Sequence, residues 1–347
     1  MSAKTKVAIL GASGYTGAEL VRILALHPHV EMTVLTADRR AGKPFADVFP
    51  HLAGIRLPDL VAIDQVDWAG VDFVFCALPH GTTQEVVAGL PAHVKCCDLS
   101  ADFRLKDVAA YAEYYGHEHL APELQKEVVY GLTEVYREQI KAARVVANPG
   151  CYPTSAQLPL MPLIAKGLIA ADGIIVDAKS GVTGAGRAPK EGTLFSEVTE
   201  GIHPYGIATH RHAPEIEQGL SEAAGRPVLV NFTPHLMPMA RGILSTIYVQ
   251  CAEGVTAADL RAALADRYAG EPFVRVLPEG QVPATRHVRG SNFVLMNAFD
   301  DRLPGRAILT CVEDNLVKGA SGQAVQNMNV MLGFEETTAL MQQPMFP

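Results

Sequence analysis

The sequence predicts an α/β fold in which a doubly wound parallel sheet comes first and a domain of the α+β class follows. Two observations support this prediction. Residues 6–100 alternate short β-branched runs with helical patterns, which is the order of elements in a parallel sheet covered by helices. From Ile174 onward the strand-like runs lengthen around one clear helical pattern, Ala257–Ala269, which indicates a mixed or antiparallel sheet.

The first half divides into recognisable elements. Its strand-like runs are Val7–Leu10, Met32–Thr36, Val71–Ala77, Val94–Leu99 and Val145–Ala147, and its helical patterns are Ala18–Leu26 and Glu85–Leu90. A less regular stretch, Tyr111–Tyr136, precedes the last of these strands. The turn signal Asn148-Pro149-Gly150 follows it and marks the expected domain boundary.

The second half opens on an apolar helical pattern, Leu158–Ile164. Its longer strand-like runs are Val228–Thr233, Gly242–Cys251, Asn292–Phe299 and Arg306–Val312. Ser321–Leu332 is helical again, and we expect this helix to return to the first domain. The predicted division is therefore residues 1–149 with 318–347 for the first domain and residues 150–317 for the second.

Composition limits the possible partners. The chain has 347 residues, 48% of them hydrophobic and 19% charged, which is typical of a compact globular protein. The formal net charge of −8 provides no general attraction for nucleic acid or an anionic membrane. We therefore expect neither partner, and an anionic substrate would need a local basic pocket.

The amino-terminal apolar stretch before Gly11 is too short for a secretory signal, and no apolar run approaches the roughly 18 residues of a membrane span. We expect a soluble, cytoplasmic protein. Cysteines other than Cys151 lie in apolar, strand-like surroundings that suggest reduced core residues. They are Cys76, Cys96, Cys97, Cys251 and Cys311.

A glycine-rich turn joins the first strand to the first helix. It contains Gly11, Ser13, Gly14, Tyr15, Thr16 and Gly17. A dinucleotide pyrophosphate would bind here, on backbone N–H groups at the positive end of the helix. The spacing is GxxGxxG rather than GxGxxG, so a plain tight turn is the alternative.

The residues after the second strand bear on which dinucleotide binds. Asp38 is followed by Arg39 and Arg40. An acid suits the ribose hydroxyl of NAD, whereas arginine suits the 2′-phosphate of NADP through charge-assisted bonds. We favour NADP, and the alternative for the two arginines is a solvated pair of loop charges.

Cys151 is the candidate nucleophile. It lies between a predicted strand and a helical pattern, which puts its sulfur at a helix N-terminus. There the macrodipole and the free N–H groups favour the thiolate and lower the thiol pKa. A buried structural cysteine is the alternative.

The candidate base lies in a dense polar segment that contains His210, Arg211, His212 and Glu215. If a helix begins near His212, Glu215 lies on the same face and could orient the imidazole. The His-x-His pair could instead bind metal, but no further ligands complete a coordination shell, so we expect no metal.

Two more loops carry basic residues. Arg104 follows the carboxyl end of a strand, where doubly wound sheets bind ligands, and could hold a phosphate or form an ordinary ion pair with Asp102. The stretch Asp177–Arg187 appears as a second Gly/Ser-rich loop, with Lys179 as an anion-binding candidate.

Taken together, these motifs resemble the N-acetyl-γ-glutamyl-phosphate reductase family, related to aspartate-semialdehyde dehydrogenase. The segments that carry the resemblance are Gly11–Gly17, Asp98–Arg104, Val129–Leu132, Asn148–Thr154, Asp177–Arg187, His210–Ile216, Phe232–Ser245 and Lys318–Asn329. The resemblance implies a Rossmann NADP-binding domain and a glyceraldehyde-phosphate-dehydrogenase-like catalytic and oligomerisation domain. It also implies a homodimer or homotetramer.

The resemblance further implies roles for individual residues. Cys151 matches the nucleophile, His212 the acid/base histidine and Glu215 its partner. The positions expected near the substrate are Arg104, Asn148, Lys179, His210 and Arg211. Those expected at NADP, besides the glycine turn, are Ser180, Gly181 and Asn327. Ala37-Asp38-Arg39 replaces the Ser-Arg pair common after the second strand.

The implied activity is NADPH-dependent reduction of N-acetyl-γ-glutamyl phosphate, an acyl phosphate, through a cysteine thioester in arginine biosynthesis. Aspartate-semialdehyde dehydrogenase and the reductase of carrier-bound aminoadipyl phosphate in lysine synthesis are related alternatives. A catalytically silent NADP sensor is an alternative of a different class.

Overall fold

The computed structural model describes residues 3–346. These residues divide into two compact units, the first comprising 3–149 with Ala320–Met341 and the second Gly150–Gly319 with 342–346. The sequence predicted that the chain re-enters the first domain at residue 318 and stays there to its end. In the structure it re-enters at Ala320, and residues 342–346 belong to the second unit. None of the helices in the described part of the chain combines the length and the apolar character that crossing a bilayer requires.

The first unit is built on a seven-stranded sheet in which every neighbouring pair of strands is parallel. The strands are β1 (Thr5–Leu10), β2 (Val30–Thr36), β3 (Leu60–Val61), β4 (Phe73–Cys76), β5 (Lys95–Asp98), β6 (Val129–Tyr130) and β7 (Val145–Ala147), in the order β3-β2-β1-β4-β5-β7-β6. The order reverses beside β1, as the predicted doubly wound sheet requires.

The helices of this unit are α1 (Tyr15–Leu24), α2 (Phe45–Val48), α3 (Thr83–Ala88), α4 (Val108–Tyr115), α5 (Pro122–Gln125) and α6 (Thr133–Ala142). The stretch that looked irregular in the sequence therefore contains α5 and the edge strand β6, and it overlaps the end of α4 and the start of α6. Buried apolar residues of the strands, among them Ala8, Val74 and Cys96, form a core cluster with Val87 of α3 and Phe103.

The second unit holds a mixed sheet, as predicted. Its strands are β8 (Ile174–Gly181), β9 (His203–Pro204), β10 (Val230–Met237), β11 (Ile243–Gln250), β12 (Val274–Val276), β13 (Val294–Asp300) and β14 (Arg306–Glu313), in the order β12-β13-β14-β11-β8-β10-β9. Its helices are α7 (Cys151–Ala165), α8 (Phe195–Val198), α9 (Ala213–Ala224) and α10 (Ala257–Tyr268). The last helix of the chain, α11 (Gly322–Leu332), belongs to the first unit.

Helix α7 packs on β11 and β14 although it contains Pro159 and Pro162. A proline has no N–H, so the carbonyl four residues earlier loses its helical partner. Tyr268 compensates for Pro162, because its hydroxyl donates a 2.6 Å hydrogen bond to the Leu158 carbonyl. Helix α7 is therefore continuous from its amino-terminal end, and almost all of its residues are buried.

Helix α11 packs on α1 and α6 within the first unit. Its buried polar side chains bond across these elements: Asn329 Oδ1 lies 2.9 Å from His27 Nε2, and Gln326 donates to Glu134 at 3.0 Å. Ser321, just before the helix, donates to the Thr16 carbonyl at 2.9 Å. The predicted return of this helix to the first domain therefore has a specific polar basis.

Candidate active site

The glycine turn of the first unit is shaped by close backbone approaches. Gly11 has a φ of 79°, and a Cβ on it would lie 2.4 Å from the Ala77 carbonyl oxygen. A Cβ on Gly17 would lie 2.6 Å from Ala12 Cα. Helix α1 begins at Tyr15 with extended Gly14 as its N-cap and no side-chain cap. First-turn N–H groups that no side chain caps are suited to a pyrophosphate, so the turn fits a dinucleotide.

The loop after β2 lies beside this turn. Gly11 N donates to Thr36 Oγ1 at 3.2 Å, and Ala12 N donates to the Thr36 carbonyl at 2.8 Å. Arg39 and Arg40 follow in an exposed turn. Because β1 and β2 are parallel neighbours, both loops leave the same edge of the sheet. The two arginines are thus available to a phosphate bound near that edge.

Arg104 is buried, with 6% of its surface exposed. Its Nε donates to the Asn148 carbonyl at 2.8 Å and its Nη2 to the Leu99 carbonyl at 2.9 Å. Asp102, the ion-pair partner considered in the sequence, instead accepts from the backbone N–H and the hydroxyl of Thr83. The guanidinium therefore ties together the carboxyl ends of β5 and β7 while carrying a positive charge there.

Asn148 and Asn327 are held mainly by each other and by the backbone. Asn327 Nδ2 donates to Asn148 Oδ1 at 3.2 Å and to the Gly131 carbonyl at 2.9 Å, and its Oδ1 accepts from Thr133. Asn148 Nδ2 donates to the Ala320 carbonyl at 3.1 Å. These bonds fix the loop before the second unit, and a contact of either amide with a ligand stays a prediction.

Cys151 is the first residue of α7, as the sequence indicated. Gly150 is its N-cap, with φ −66° and ψ 154°, and the Gly150 carbonyl accepts the first helical bond from Thr154 N at 3.1 Å. Cys151 is partly exposed, whereas the other five cysteines are buried. Burial raises the pKa of Cys76, Cys96, Cys97 and Cys311 well above the usual thiol value.

Helix α9 begins at Ala213 with His212 as its N-cap, which confirms the helix start inferred from the sequence. Glu215 lies in the first turn with 1% of its surface exposed. Its Oε1 accepts a 2.8 Å hydrogen bond from Gly150 N. The carboxylate therefore holds the backbone immediately before the nucleophile, a contact that helical spacing alone did not reveal.

The two imidazoles lie among aromatic rings. The Tyr152 ring, next to Cys151 in the chain, has its centroid 5.8 Å from those of both His210 and His212. His210 Nδ1 accepts from His212 N at 3.1 Å. Burial, and then the charge of Arg211, lower the pKa of His210 to about 4. His210 is thus neutral at pH 7, and the role of His212 in proton transfer stays a prediction.

Tyrosine hydroxyls extend this cluster. Tyr152 and Tyr205 lie with their hydroxyl oxygens 2.9 Å apart, and the pKa of Tyr205 is raised to about 12, mainly by burial. The sequence interpretation did not assign either tyrosine a role. Only their positions in the sequence could have indicated a role: Tyr152 follows the nucleophile, and Tyr205 precedes the histidine segment.

The prediction that Lys179, Ser180 and Gly181 lie in a loop was wrong, because β8 continues through Gly181. Alternation along the strand puts Val176, Ala178 and Ser180 on the buried face. Lys179 is on the opposite face, where its Nζ lies 2.6 Å from Asp177 Oδ2. The structure therefore does not bring Lys179 to the face of the sheet on which α7 packs.

Gly181 is required by close packing, since a Cβ there would lie 2.7 Å from the Ala240 carbonyl oxygen. Ser180 is buried and donates to the Gly181 carbonyl at 3.0 Å. These contacts are within the protein, and the assignment of both residues to the cofactor stays a prediction. A Cβ on Gly319 would lie 2.7 Å from Cys151 Cβ and 2.8 Å from Glu313 Oε1. The sequence interpretation assigned neither Gly319 nor Glu313 a role.

Comparisons with known proteins fit this arrangement. The family model for the semialdehyde dehydrogenase NAD binding domain matches residues 6–143, and the model for the semialdehyde dehydrogenase dimerisation domain matches residues 151–315. The chain is thus an oxidoreductase of the semialdehyde dehydrogenase class.

Individual relatives narrow the class. The N-acetyl-gamma-glutamyl-phosphate reductase of Rhodospirillum rubrum is 65% identical over 352 residues, with 100% of both chains covered. The chain belongs to the N-acetyl-gamma-glutamyl-phosphate reductase family.

Solved structures share the fold at lower identity. Aspartate semialdehyde dehydrogenase II from Vibrio cholerae, complexed with ASA, has a TM-score of 0.72 at 19% identity, covering 96% of this chain and 99% of that one. Aspartate semialdehyde dehydrogenase with NADP from Candida albicans has a TM-score of 0.69 at 16% identity, covering 95% of this chain and 99% of that one.

Proposed function

We propose that this protein reduces N-acetyl-γ-glutamyl phosphate to N-acetylglutamate semialdehyde and phosphate, with NADPH as cofactor and Cys151 as nucleophile, in arginine biosynthesis. Family membership supports the substrate and the reaction type. The observation that carries the mechanism is the place of Cys151, a partly exposed thiol at the first position of α7. The positive end of a helix stabilises a thiolate there.

The first chemical step forms a thioester. The Cys151 sulfur bonds to the γ-acyl carbon, the bond from that carbon to the phosphate oxygen breaks, and phosphate leaves. Negative charge develops on the acyl oxygen and needs donors. The Gly150 N–H is already engaged by Glu215. The Cys151 N–H and a protonated His212 are therefore the donors we assign.

When bound, NADPH supplies the hydride that reduces the acyl group. The residues of this chain handle the proton: His212 donates it to the oxyanion of the reduced acyl group, which gives the thiohemiacetal, and takes it back as the carbon–sulfur bond breaks. The aldehyde then leaves and Cys151 is regenerated. His210, with its pKa near 4, stays neutral and supports the His212 backbone through Nδ1.

For the cofactor we propose the glycine turn Gly11–Gly17 at the pyrophosphate and Arg39 or Arg40 at the 2′-phosphate. The uncapped start of α1 and the exposed arginines at the end of β2 support this assignment. The Candida albicans aspartate semialdehyde dehydrogenase, which shares the fold, was solved with NADP, and this supports the choice of cofactor further. The first compact unit, residues 3–149 with Ala320–Met341, is the proposed NADP-binding domain.

For the anionic substrate we propose Arg104, Arg211 and His210, with Asn148 in the same role. Arg104 provides a fixed positive charge at the ends of two parallel strands. We also propose a homodimer or homotetramer through the second unit. On the face of its sheet that carries Lys179, half-exposed side chains such as Ile175 and His235 line a cavity of about 480 Å³. The match to a dimerisation domain supports this.

The proposed reaction can be tested in reverse. The enzyme is incubated with NADP⁺, inorganic phosphate and one aldehyde at a time, and reduced cofactor is followed by absorbance. We expect a phosphate-dependent signal with N-acetylglutamate semialdehyde. A stronger signal with aspartate semialdehyde or with the carrier-bound aminoadipate semialdehyde would overturn the substrate assignment. No signal with any aldehyde would favour a silent sensor.

A further inference from the structure

Glu313 is the last residue of β14 and is completely buried. It follows Leu309 and Cys311 in the period-two alternation of the strand, so its side chain is on the buried face of the sheet, on which α7 packs. Acidic side chains are almost never fully buried without a specific interaction. The mechanism proposed above assigns no role to this carboxyl group.

Gly319 brings this carboxyl group close to the nucleophile. The point that a Cβ on Gly319 would occupy lies 2.7 Å from Cys151 Cβ and 2.8 Å from Glu313 Oε1. Any other residue at position 319 would therefore push these two side chains apart. The residue sits in a π-helical turn, Val317–Ser321, a rare geometry that is frequent at functional sites.

The Cys311 thiol lies near the same carboxyl group. The pKa of Cys311 is raised first by burial and then by the charge of Glu313. Cys311 lies on the same face of the same strand, two residues before the carboxyl group. A negative charge at Glu313 disfavours a second negative charge on a neighbouring sulfur.

We propose that Glu313 stabilises the protonated thiol of Cys151 in the free enzyme, so that the thiolate forms only when a base accepts its proton. This inference depends on the proposed function, in which Cys151 is the nucleophile and His212 is the base. A carboxylate charge at Glu313 disfavours a second negative charge on the Cys151 sulfur. The charge opposes the helix dipole of α7.

Other titratable groups surround Cys151 in the second unit. Tyr152 on α7 and Tyr205 both have pKa values raised by burial, so they are neutral at pH 7. Glu215 on α9 is hydrogen-bonded to Gly150 N. His212 precedes α9, and its ring stacks edge-on against that of Tyr152.

The carboxyl-terminal side adds Asp314 and Lys318. Asp314 Oδ1 accepts from the N–H groups of Leu316 and Val317, and its Oδ2 accepts from Gly290 N, so its charge is engaged by the backbone. Lys318 is completely buried, with Nζ 6.0 Å from the Phe273 ring centroid. Among these groups, Glu313 is the carboxylate with an oxygen 2.8 Å from the position of a Gly319 Cβ, a point that is also 2.7 Å from Cys151 Cβ.

The consequence is that Cys151 is protected from unwanted reactions in the free enzyme. Oxidants and alkylating agents react with the thiolate rather than with the thiol. A free enzyme whose thiol keeps its proton is therefore less exposed to side reactions. Once His212 accepts the proton, the sulfur attacks as a thiolate.

The test is a titration of Cys151 by alkylation. Iodoacetamide is added to the full chain over a range of pH, and modification of the Cys151 peptide is measured by mass spectrometry. We expect Glu313→Gln to lower the Cys151 pKa by about one unit or more, and to raise its alkylation rate at pH 7 by roughly tenfold. Glu217→Gln removes a partly buried carboxyl group from α9 and should leave the titration unchanged.

An unchanged or raised Cys151 pKa in folded Glu313→Gln would overturn the inference. If this variant does not fold, Glu313→Asp serves instead, because it moves the charge away by the length of one methylene group. It should lower the Cys151 pKa by a smaller amount, and an unchanged pKa would reject the inference. The alkylation readout does not depend on turnover. Failure of the proposed function would instead appear as turnover that survives Cys151→Ala.

Discussion

The carboxylate of Glu215 accepts a 2.8 Å hydrogen bond from the backbone N–H of Gly150, the residue before Cys151. The bond joins the first turn of α9 to the N-cap of α7. A second bond, from Gln157 Nε2 to the Glu215 carbonyl at 2.7 Å, holds the same two helices together. The position of the nucleophile thus depends on α9, the helix that begins directly after His212.

Replacing Glu215 tests this dependence. We expect Glu215→Ala to lower the free energy of unfolding by about 1–3 kcal/mol, because Gly150 N loses a buried partner. Glu215→Gln retains an acceptor oxygen and should lose less. Urea unfolding measures both, with exposed Glu253→Ala as the control. Equal stability of all three variants would mean that the bond does not hold the helix start.

His212→Asn tests the proton transfer. We expect turnover to fall by about 10²–10⁴-fold, because an amide cannot exchange the proton of the thiohemiacetal. His210 should not replace it, since a pKa lowered to about 4 makes that imidazole a weak base. Steady-state assays compare this variant with His203→Asn, which alters an exposed imidazole. A loss below tenfold would assign the proton to another group.

Gly319→Ala tests the close approach at the nucleophile. The added methyl group would meet Cys151 Cβ at 2.7 Å and Glu313 Oε1 at 2.8 Å. We expect a loss of about 1–3 kcal/mol in the free energy of unfolding and a lower turnover. Gly270→Ala, where a Cβ meets nothing within 4 Å, is the matched control. Full activity of Gly319→Ala would show that the packing relaxes without cost.

Asp98 predicts a pH dependence of stability. Burial raises the pKa of Asp98 to about 7. The N–H and the hydroxyl of Ser100 donate hydrogen bonds to the carboxylate, and these bonds oppose the rise. Between about pH 4 and pH 7 the unfolded chain has lost this proton and the folded chain has kept it, so stability falls as pH rises. Urea unfolding should show a smaller fall in Asp98→Asn. An identical slope in both proteins would contradict the assignment.

The sequence predicted the larger elements well because their patterns are local. The parallel sheet followed from alternating β-branched and helical runs, and the start of α9 followed from the residues around His212. Short strands such as β3, β9 and β12 were missed, since two or three residues carry no periodicity and form only by pairing with neighbours.

The candidate site was predicted by residue type more than by geometry. Cys151 was placed correctly at a helix start because its turn signal is local. Lys179 was misplaced because glycine and serine resembled a loop where β8 continues. Glu313 was missed because it comes near Cys151 only through the close packing at Gly319, which no spacing in the sequence reveals.

Acylation of the enzyme tests the central claim most directly. The full chain is mixed with N-acetyl-γ-glutamyl phosphate without NADPH, quenched in acid and digested for mass spectrometry. The account predicts an N-acetylglutamyl group on the Cys151 peptide, absent from Cys151→Ala, which still binds NADPH. An adduct on another residue, or turnover by an enzyme that never carries one at Cys151, would contradict it.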